Sequence, residues 1–201
     1  MSNPDDLSVI GRRQPRLDGF DKVSGRSVFT DDIVLPGMLH GRILRSPHAR
    51  ARIVSIDTSR ALALPGVKAV VTSADAPDLL FSDRQPLLAK GFVHYVGEEV
   101  AVVAATDPLI AEAALDLIHV QYEVLPAVTS LRKAMQPGAA QLHEWAPGNV
   151  ALTHEKDFGD PDAAFEASDL VITDEFRSPV QHNTLAELHV ALADFTNPAK
   201  L

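Results

Sequence analysis

The sequence predicts an α+β fold, a mixed sheet with helices on one face. Three observations carry that reading. Val100-Ala101-Val102-Val103-Ala104-Ala105 is a continuous apolar run of strand length, as expected of a strand buried on both faces. Thr106-Asp107-Pro108 follows at once and opens a stretch with apolar residues at helical spacing. Short segments of alternating or β-branched character surround this pair, so that residues 36–126 read β-β-α-β-loop-β-α-β.

Each element has its own warrant. Residues 1–20 read as an extended arm, punctuated by Pro4, Gly11, Pro15 and Gly19. Met38 to Arg45 reads as a strand between Pro36-Gly37 and Ser46-Pro47. Ala51 to Ile56, with Ile53, Val54 and Ile56, reads as a second strand. The short link between them predicts antiparallel neighbours. Asp57 or Thr58 can cap a short helix whose apolar side is Ala61, Leu62 and Leu64; Pro65-Gly66 stops it. Val67 to Thr72 is a β-branched run and reads as a buried strand. Residues 73–92, with Pro77 and Pro86, read as a surface loop.

After the Val100–Ala105 strand, Thr106 or Asp107 caps a helix and Pro108 sits where a missing N–H costs nothing. Leu109, Ala113 and Leu117 form one row, Ile110, Ala114 and Ile118 the next. His119 to Val124 returns to alternation, and Leu125-Pro126 ends it. Residues 127–160 carry Pro137-Gly138 and Pro147-Gly148 and read as a connector. Asp160-Pro161 starts a short helix to about Ala167. Leu170 to Phe176 and Leu188 to Phe195 read as strands, with a turn at Thr196-Asn197-Pro198. Strands so late, with no further segment to pair into, predict a fragment or a subunit completed by another chain. No internal repeat is present.

Composition bounds the function. Hydrophobic residues are 46% and charged residues 22% of the 201, ordinary for a globular protein. Aromatics are 5%, which leaves Val, Leu, Ile and Ala to build the core. No apolar run is long enough to span a bilayer, and Met1-Ser2-Asn3-Pro4-Asp5-Asp6 does not read as a signal peptide. There is no cysteine, which excludes disulfides, cysteine-held zinc and iron–sulfur clusters on this chain and fits a cytoplasmic location. The formal charge is −9. It is uneven: residues 1–60 hold ten Lys/Arg against seven Asp/Glu, while the remainder is acidic. The basic residues alternate with Asp and lack stacking aromatics, so a solvated face or a protein interface fits better than nucleic acid.

Candidate sites are few. His182, Glu187 and His189 form the best metal-ligand grouping, Glu187 and His189 sharing one strand face; a polar face packed on a partner is the better reading, since a metal site needs a third or fourth ligand of defined geometry. Ser46, His48 and Asp57 have the residue types of a hydrolytic triad. A strand-end turn, its hydroxyl satisfying backbone groups, is the better reading, because Ser46 precedes a proline. Gly37 and Gly41 lie in no phosphate loop. Gly97 marks a tight turn or a close backbone approach. Glu98 and Glu99 read as solvated carboxylates at a strand mouth. No residue is therefore assigned a catalytic, cofactor-binding or metal-binding role.

Several phrases in fixed order add to this. They are Pro15-Arg16-Leu17-Asp18-Gly19-x-Asp21-Lys22-Val23-x-Gly25, Leu35-Pro36-Gly37-Met38-Leu39-x-Gly41 and Leu44-Arg45-Ser46-Pro47-His48-Ala49-Arg50-Ala51, followed by Ala63-Leu64-Pro65-Gly66-Val67, Tyr95-Val96-Gly97-Glu98 and Val120-x-Tyr122-Glu123-x-Leu125-Pro126. Together they resemble the opening of the molybdopterin-binding large subunit of the xanthine dehydrogenase / aldehyde oxidase family, with its a/b hammerhead domain. The resemblance covers roughly residues 9–196. Phe158-Gly159-Asp160 to Phe176 is similar to a family segment, and Gln181-His182 to Phe195 to the start of the first molybdopterin-binding domain. There Ala186-Glu187-Leu188-His189 keeps the family's Glu and His but not its Met and Pro.

The resemblance implies an extended arm over 1–20, a hammerhead domain over 21–130, a connector with a short helix over 131–168 and an incomplete molybdopterin-binding domain over 169–201. It implies a structural part of an oxidoreductase that is not catalytic alone. The family's molybdenum-contacting glutamine, its Gly-Gly-x-Phe-Gly loop and its glutamate base have no counterpart here. In the complete assembly it implies molybdopterin-molybdenum, [2Fe–2S] clusters and FAD, the last two on partner subunits, in a dimer of heterotrimers. The implied chemistry is hydroxylation of an aldehyde or of a carbon next to nitrogen, with oxygen from water. Arg42 to Arg52, including Arg45 and Arg52, is then the segment expected to meet an iron–sulfur partner. A non-enzymatic binding module with the same α+β fold is the alternative.

Overall fold

The computed structural model describes residues 9–77, 80–82 and 84–195. The chain divides into two units, Gly37–Asp174 and Met1–Pro36 with Glu175–Leu201.

The larger unit is built around one strand. In chain order it holds β1 (His40–Arg45), β2 (Ala51–Asp57), a helix at Ser59–Leu62, β3 (Val67–Thr72), β4 (Leu80–Ser82), β5 (Gln85–Pro86), β6 (Phe92–Val93) and β7 (Glu99–Ala105). A helix at Pro108–Leu115, β8 (His119–Val124) and short helices at Leu131–Ala134 and Pro161–Glu166 complete it. Counting the Gly19–Val23 helix of the smaller unit as α1, these four helices are α2 to α5.

The α+β class stands. Its pairing differs from expectation in two ways. Among the described residues the strands divide into three sheets, β1-β7-β3, β6-β2-β8 and β4-β5, and every pairing is antiparallel. β1 and β2 do not pair with each other. The cause is β7, which is apolar from Val100 to Ala105 and lies in the core, where the N–H and C=O groups on both its edges need ladder partners. It takes β1 on one edge and β3 on the other, while β2 crosses into the second sheet between β6 and β8.

Residues 101, 103 and 105 of β7 share a face by strand alternation. All three are fully buried and pack against Ala61 of α2, Ala111 and Ala114 of α3, and Ile118. Alanines three apart on α3 let the helix approach closely. A register shift opposite Leu44 and Arg45 leaves Val100 unpaired on β7. This bulge lets two consecutive residues both face apolar surroundings. Ala101 joins the helix-side core, and Val100 joins Ala51, Ala89 and Val93 in a second cluster. Ile56 and Val120 pack against both clusters and link them.

The helix ends follow the sequence. Asp107 Oδ1 accepts from Leu109 N at 2.7 Å and Ile110 N at 3.3 Å, with Pro108 in the first turn. Asp57 Oδ1 accepts from Ser59 N at 2.9 Å and serves α2. Asp160 Oδ1 accepts from Ala163 N at 3.0 Å and serves α5. α3 ends at Leu115, earlier than the apolar stripe to Ile118 suggests; Leu117 and Ile118 continue as a turn on Ala114 and Leu115 carbonyls. The stretch 73–92 carries short strands as well as loop, and α4 lies inside the connector.

In the smaller unit α1 spans Gly19–Val23, within the phrase around Asp18, and no helix was expected there. The strands expected over 170–176 and 188–195 do not form; both stretches are irregular and exposed. A strand is stable only with a ladder partner for its N–H and C=O groups, and no neighbouring strand is paired with either stretch among the described residues. The Thr196-Asn197-Pro198 turn lies outside those residues.

Candidate functional site

The turn from β6 to β7 brings together chemistry that linear spacing hides. β6 ends at Val93, and Gly97 takes the left-handed φ of +95° needed to turn Tyr95-Val96-Gly97-Glu98 into β7. No atom lies within 4 Å of a Cβ built there, so this glycine serves the turn and not a close approach. Ser46 N donates to the Glu98 carbonyl at 2.9 Å, and Gly97 N donates to the Ser46 carbonyl at 2.8 Å. These bonds lock the turn to the end of β1.

Glu98 is only 5% exposed, contrary to the expectation of a solvated carboxylate. Its Oε2 accepts the His94 backbone N–H, and its Oε1 lies 3.4 Å from His94 Nδ1. A buried carboxylate needs such donors. Glu99 is half-buried and paired: Arg45 Nη1 reaches its Oε1 at 2.5 Å, and Tyr95 donates to its Oε2 at 3.4 Å. Burial pushes the Glu99 carboxyl up, but its backbone hydrogen bond and Arg45 outweigh this and hold it below the usual carboxylate range. Burial, then Glu99, pushes the Tyr95 hydroxyl up.

On the other side stands the connector. The His143 ring stacks on His94 with centroids 4.4 Å apart and planes at 26°. Trp145 stacks on His143 at 5.1 Å and 22°. The Arg84 guanidinium lies 4.4 Å from the Trp145 ring centroid, a cation–π arrangement. Four planar groups thus stand in one column, lining a groove of about 620 Å³ with Gln85, Lys90, Tyr95 and Glu98. Burial lowers the His143 pKa from its ordinary value; His94 and Arg50 push the same way, and Glu98 opposes them.

Asn149 folds the connector on itself. Its Oδ1 accepts from Leu142 N at 2.8 Å, and its Nδ2 donates to the Ala134 and Ala140 carbonyls at 2.9 and 3.0 Å. Arg50 ties it to the β1–β2 turn by donating to the Gln141 carbonyl at 2.7 Å.

The residues singled out from sequence fall elsewhere. Ser46 is buried; its hydroxyl accepts from His48 N at 3.0 Å and donates to the His48 carbonyl at 3.1 Å. The His48 ring packs edge-on against Tyr122, and Asp57 is engaged at α2, so these three form no triad. Gly37 has a φ of +75° and Gly41 lies in β1, neither beside a phosphate cradle. Among the described residues no group of three His, Cys, Asp or Glu side chains is placed to hold a metal ion, so His182, Glu187 and His189 are not brought together as ligands. Arg42 pairs with Glu112, Arg45 with Glu99, and Arg52 with Glu123. The arginines expected to meet a partner are engaged within the chain. His94, His143 and Trp145 carry no signal in the sequence; Tyr95-Val96-Gly97-Glu98 is the one local phrase that points near them.

Comparison with known proteins agrees with this architecture. Residues 24–126 match the family model described as aldehyde oxidase and xanthine dehydrogenase, a/b hammerhead domain. The chain is 41% identical over 182 residues to a probable xanthine dehydrogenase subunit of Bacillus subtilis, covering 89% of this chain and 24% of that protein. It is 43% identical over 145 residues to the carbon monoxide dehydrogenase large chain of Afipia carboxidovorans, covering 69% and 18%. Quinoline 2-oxidoreductase from Pseudomonas putida 86 superposes with a TM-score of 0.59 at 44% identity, over 64% of this chain and 18% of that one. The chain thus spans about a quarter or less of the length of these relatives. With that match over half its length, laid on the sheets and helices just described, the chain belongs to the aldehyde oxidase and xanthine dehydrogenase family and carries its a/b hammerhead domain.

Proposed function

We propose that this chain is the N-terminal structural part of a molybdenum hydroxylase catalytic subunit and is not catalytic alone. The observation that carries the reading is one of proportion: 89% of the chain aligns with a xanthine dehydrogenase subunit, yet that is 24% of the relative's length. The exposed apolar side chains after the connector support it. Phe158, Leu170 and Ile172 in the larger unit, and Phe176 and Val180 in the smaller, are each three-quarters or more exposed. Apolar surface of this extent calls for cover by further polypeptide.

The side chains present do not fit a cofactor of the complete enzymes. Without cysteine they cannot ligate a [2Fe–2S] cluster. The groove beside Glu98 is floored by rings already stacked on one another. On this reading molybdopterin-molybdenum, iron–sulfur clusters and FAD belong to the remaining molybdopterin domains and to iron–sulfur and FAD subunits, assembled in the cytoplasm as a dimer of heterotrimers. Within the chain, 1–20 is an arm, 21–130 the hammerhead domain, 131–168 a connector and 169–201 the beginning of a molybdopterin-binding domain. No helix among the described residues is long and apolar enough to cross a membrane.

The test is purification of the tagged chain from its own cells, followed by assay of molybdenum, iron and flavin. The expected result is co-purification with polypeptides that hold all three. A chain recovered alone that binds molybdenum or turns over an aldehyde or N-heterocycle sinks the reading.

A further inference from the structure

We propose that the His94–His143–Trp145 column is a proton-released clasp, which holds residues 139–152 against the β6–β7 turn while His143 is neutral and frees them when it is protonated. His143 is the middle ring of the column, sandwiched between His94 at 4.4 Å and Trp145 at 5.1 Å, its plane within 26° of each. A ring so placed gives both faces to its neighbours and is itself partly buried.

A proton on His143 meets a hostile surrounding. From the β1–β2 turn it faces Arg50; from the segment before β6, Arg84 and Lys90 line the same groove; from the β6–β7 turn it faces His94 and Tyr95. Glu144 precedes Trp145 on its own segment. Among the described residues the counter-charge acting on His143 is Glu98, whose two oxygens already serve the His94 N–H and sit beside the His94 ring. Burial therefore dominates, and the His143 pKa in the closed clasp lies below that of the free side chain.

The direction of the response follows. The open connector binds the proton more readily than the closed one. Closure is therefore fully favoured above the ordinary histidine value of 6.5 and weakens as pH falls below it. Opening need not unfold the unit. Asn149 and Gln141 hold the connector together through bonds within residues 134–149. Its ties outward include Arg50 on the Gln141 carbonyl and Arg84 on the Ala151 carbonyl, both exposed. The segment can swing as a preformed loop and change the direction in which the chain leaves toward residues 152–174.

Trp145 is the only tryptophan of the chain and reports directly on the clasp. Acrylamide quenching of its fluorescence, corrected for lifetime, is measured on the 201-residue chain from pH 7.5 to 5.0, with far-UV circular dichroism as the control for folding. Trp145 is 44% exposed in the closed clasp, so release should raise quenching about two-fold, with a midpoint below 6.5. His143→Phe keeps a stacking ring without a proton site and should show flat, low quenching throughout. His143→Gln loses the stack and should be open at both ends of the range. A wild-type chain with flat quenching overturns the proposal, and so does a His143→Phe chain that opens as the wild type does. Should that variant fail to fold, hydrogen exchange of residues 139–150 in the wild type decides. Exchange corrected for intrinsic rate should accelerate below pH 6.5 while β7 stays protected; equal protection at both pH values overturns the clasp.

Discussion

Replacing Gly66 with alanine should destabilise the larger unit by about 1.5–2.5 kcal/mol, and the figure follows from two separate costs less one gain. Gly66 sits between α2 and β3 with φ at +98°, and its carbonyl accepts from Thr106 N at 3.0 Å. An L-residue held there costs about 1–2 kcal/mol. A Cβ built on Gly66 lies 2.7 Å from Ile110 Cδ1 and 3.1 Å from Thr106 Oγ1. The first contact is impossible without movement of the Ile110 end, and overpacking of this kind costs about 1–3 kcal/mol, here at the low end because a terminal methyl can yield. Reduced freedom of the unfolded chain returns about 0.5 kcal/mol. Urea unfolding followed by circular dichroism measures the change. Gly97→Ala is the control: φ is +95° but nothing stands within 4 Å of the added Cβ, so only the backbone cost of about 1–2 kcal/mol remains. Combining Gly66→Ala with Ile110→Val removes the offending methyl and should recover part of the difference. Equal losses for Gly66→Ala and Gly97→Ala would refute the steric half of the reasoning.

Further outcomes follow from other contacts. Asp107→Ala removes the acceptor for Leu109 and Ile110 N–H groups and should lower stability by about 1 kcal/mol, with Asp107→Asn nearly neutral, both read from the urea midpoint. Because the Glu99 carboxyl is depressed, its contribution is complete above its unfolded value of 4.5 and disappears as pH falls through the lower folded one. Arg45→Met should therefore flatten the stability profile between about pH 5 and 3 as measured by thermal unfolding; an unchanged acid limb argues against the pair. Arg52→Glu opposes Glu123 across β2 and β8 and should cost about 0.5–1 kcal/mol, restored by adding Glu123→Arg. Failure of the swap to restore stability would show that Arg52 has a use outside this pair.

The elements were legible where the local code is strong. The Asp107-Pro108 cap, the apolar run of β7 and the Pro65-Gly66 stop each encode their structure within a few residues, and each element lies where its code put it. Pairing was less legible. Five residues between β1 and β2 look like a hairpin link, yet Ser46 bonds to Glu98 and Gly97 instead of closing a turn on β2. A short connection makes a hairpin possible, but the demand of a central core strand for ladder partners on both edges decides against it. The β-prone stretch from Leu170 to Phe176 shows the same dependence from the other side. Propensity is present, but strand structure is a property of a pair.

The clasp was illegible for a different reason. His94 and His143 are 49 positions apart, and neither belongs to a spacing that any metal or catalytic motif requires. Their meeting depends on Asn149 holding a connector in shape and on Gly97 turning Glu98 inward, two backbone events with φ of +60° and +95°. Glu98 illustrates the consequence. By its neighbours in sequence it is one of two adjacent carboxylates at a strand mouth; in the fold Glu99 turns to Arg45 while Glu98 is buried beneath an imidazole. Alternation along a strand sends adjacent side chains to opposite faces. Two identical residues in series therefore acquire opposite environments, and the one turned inward sets its charge against His143 of the connector.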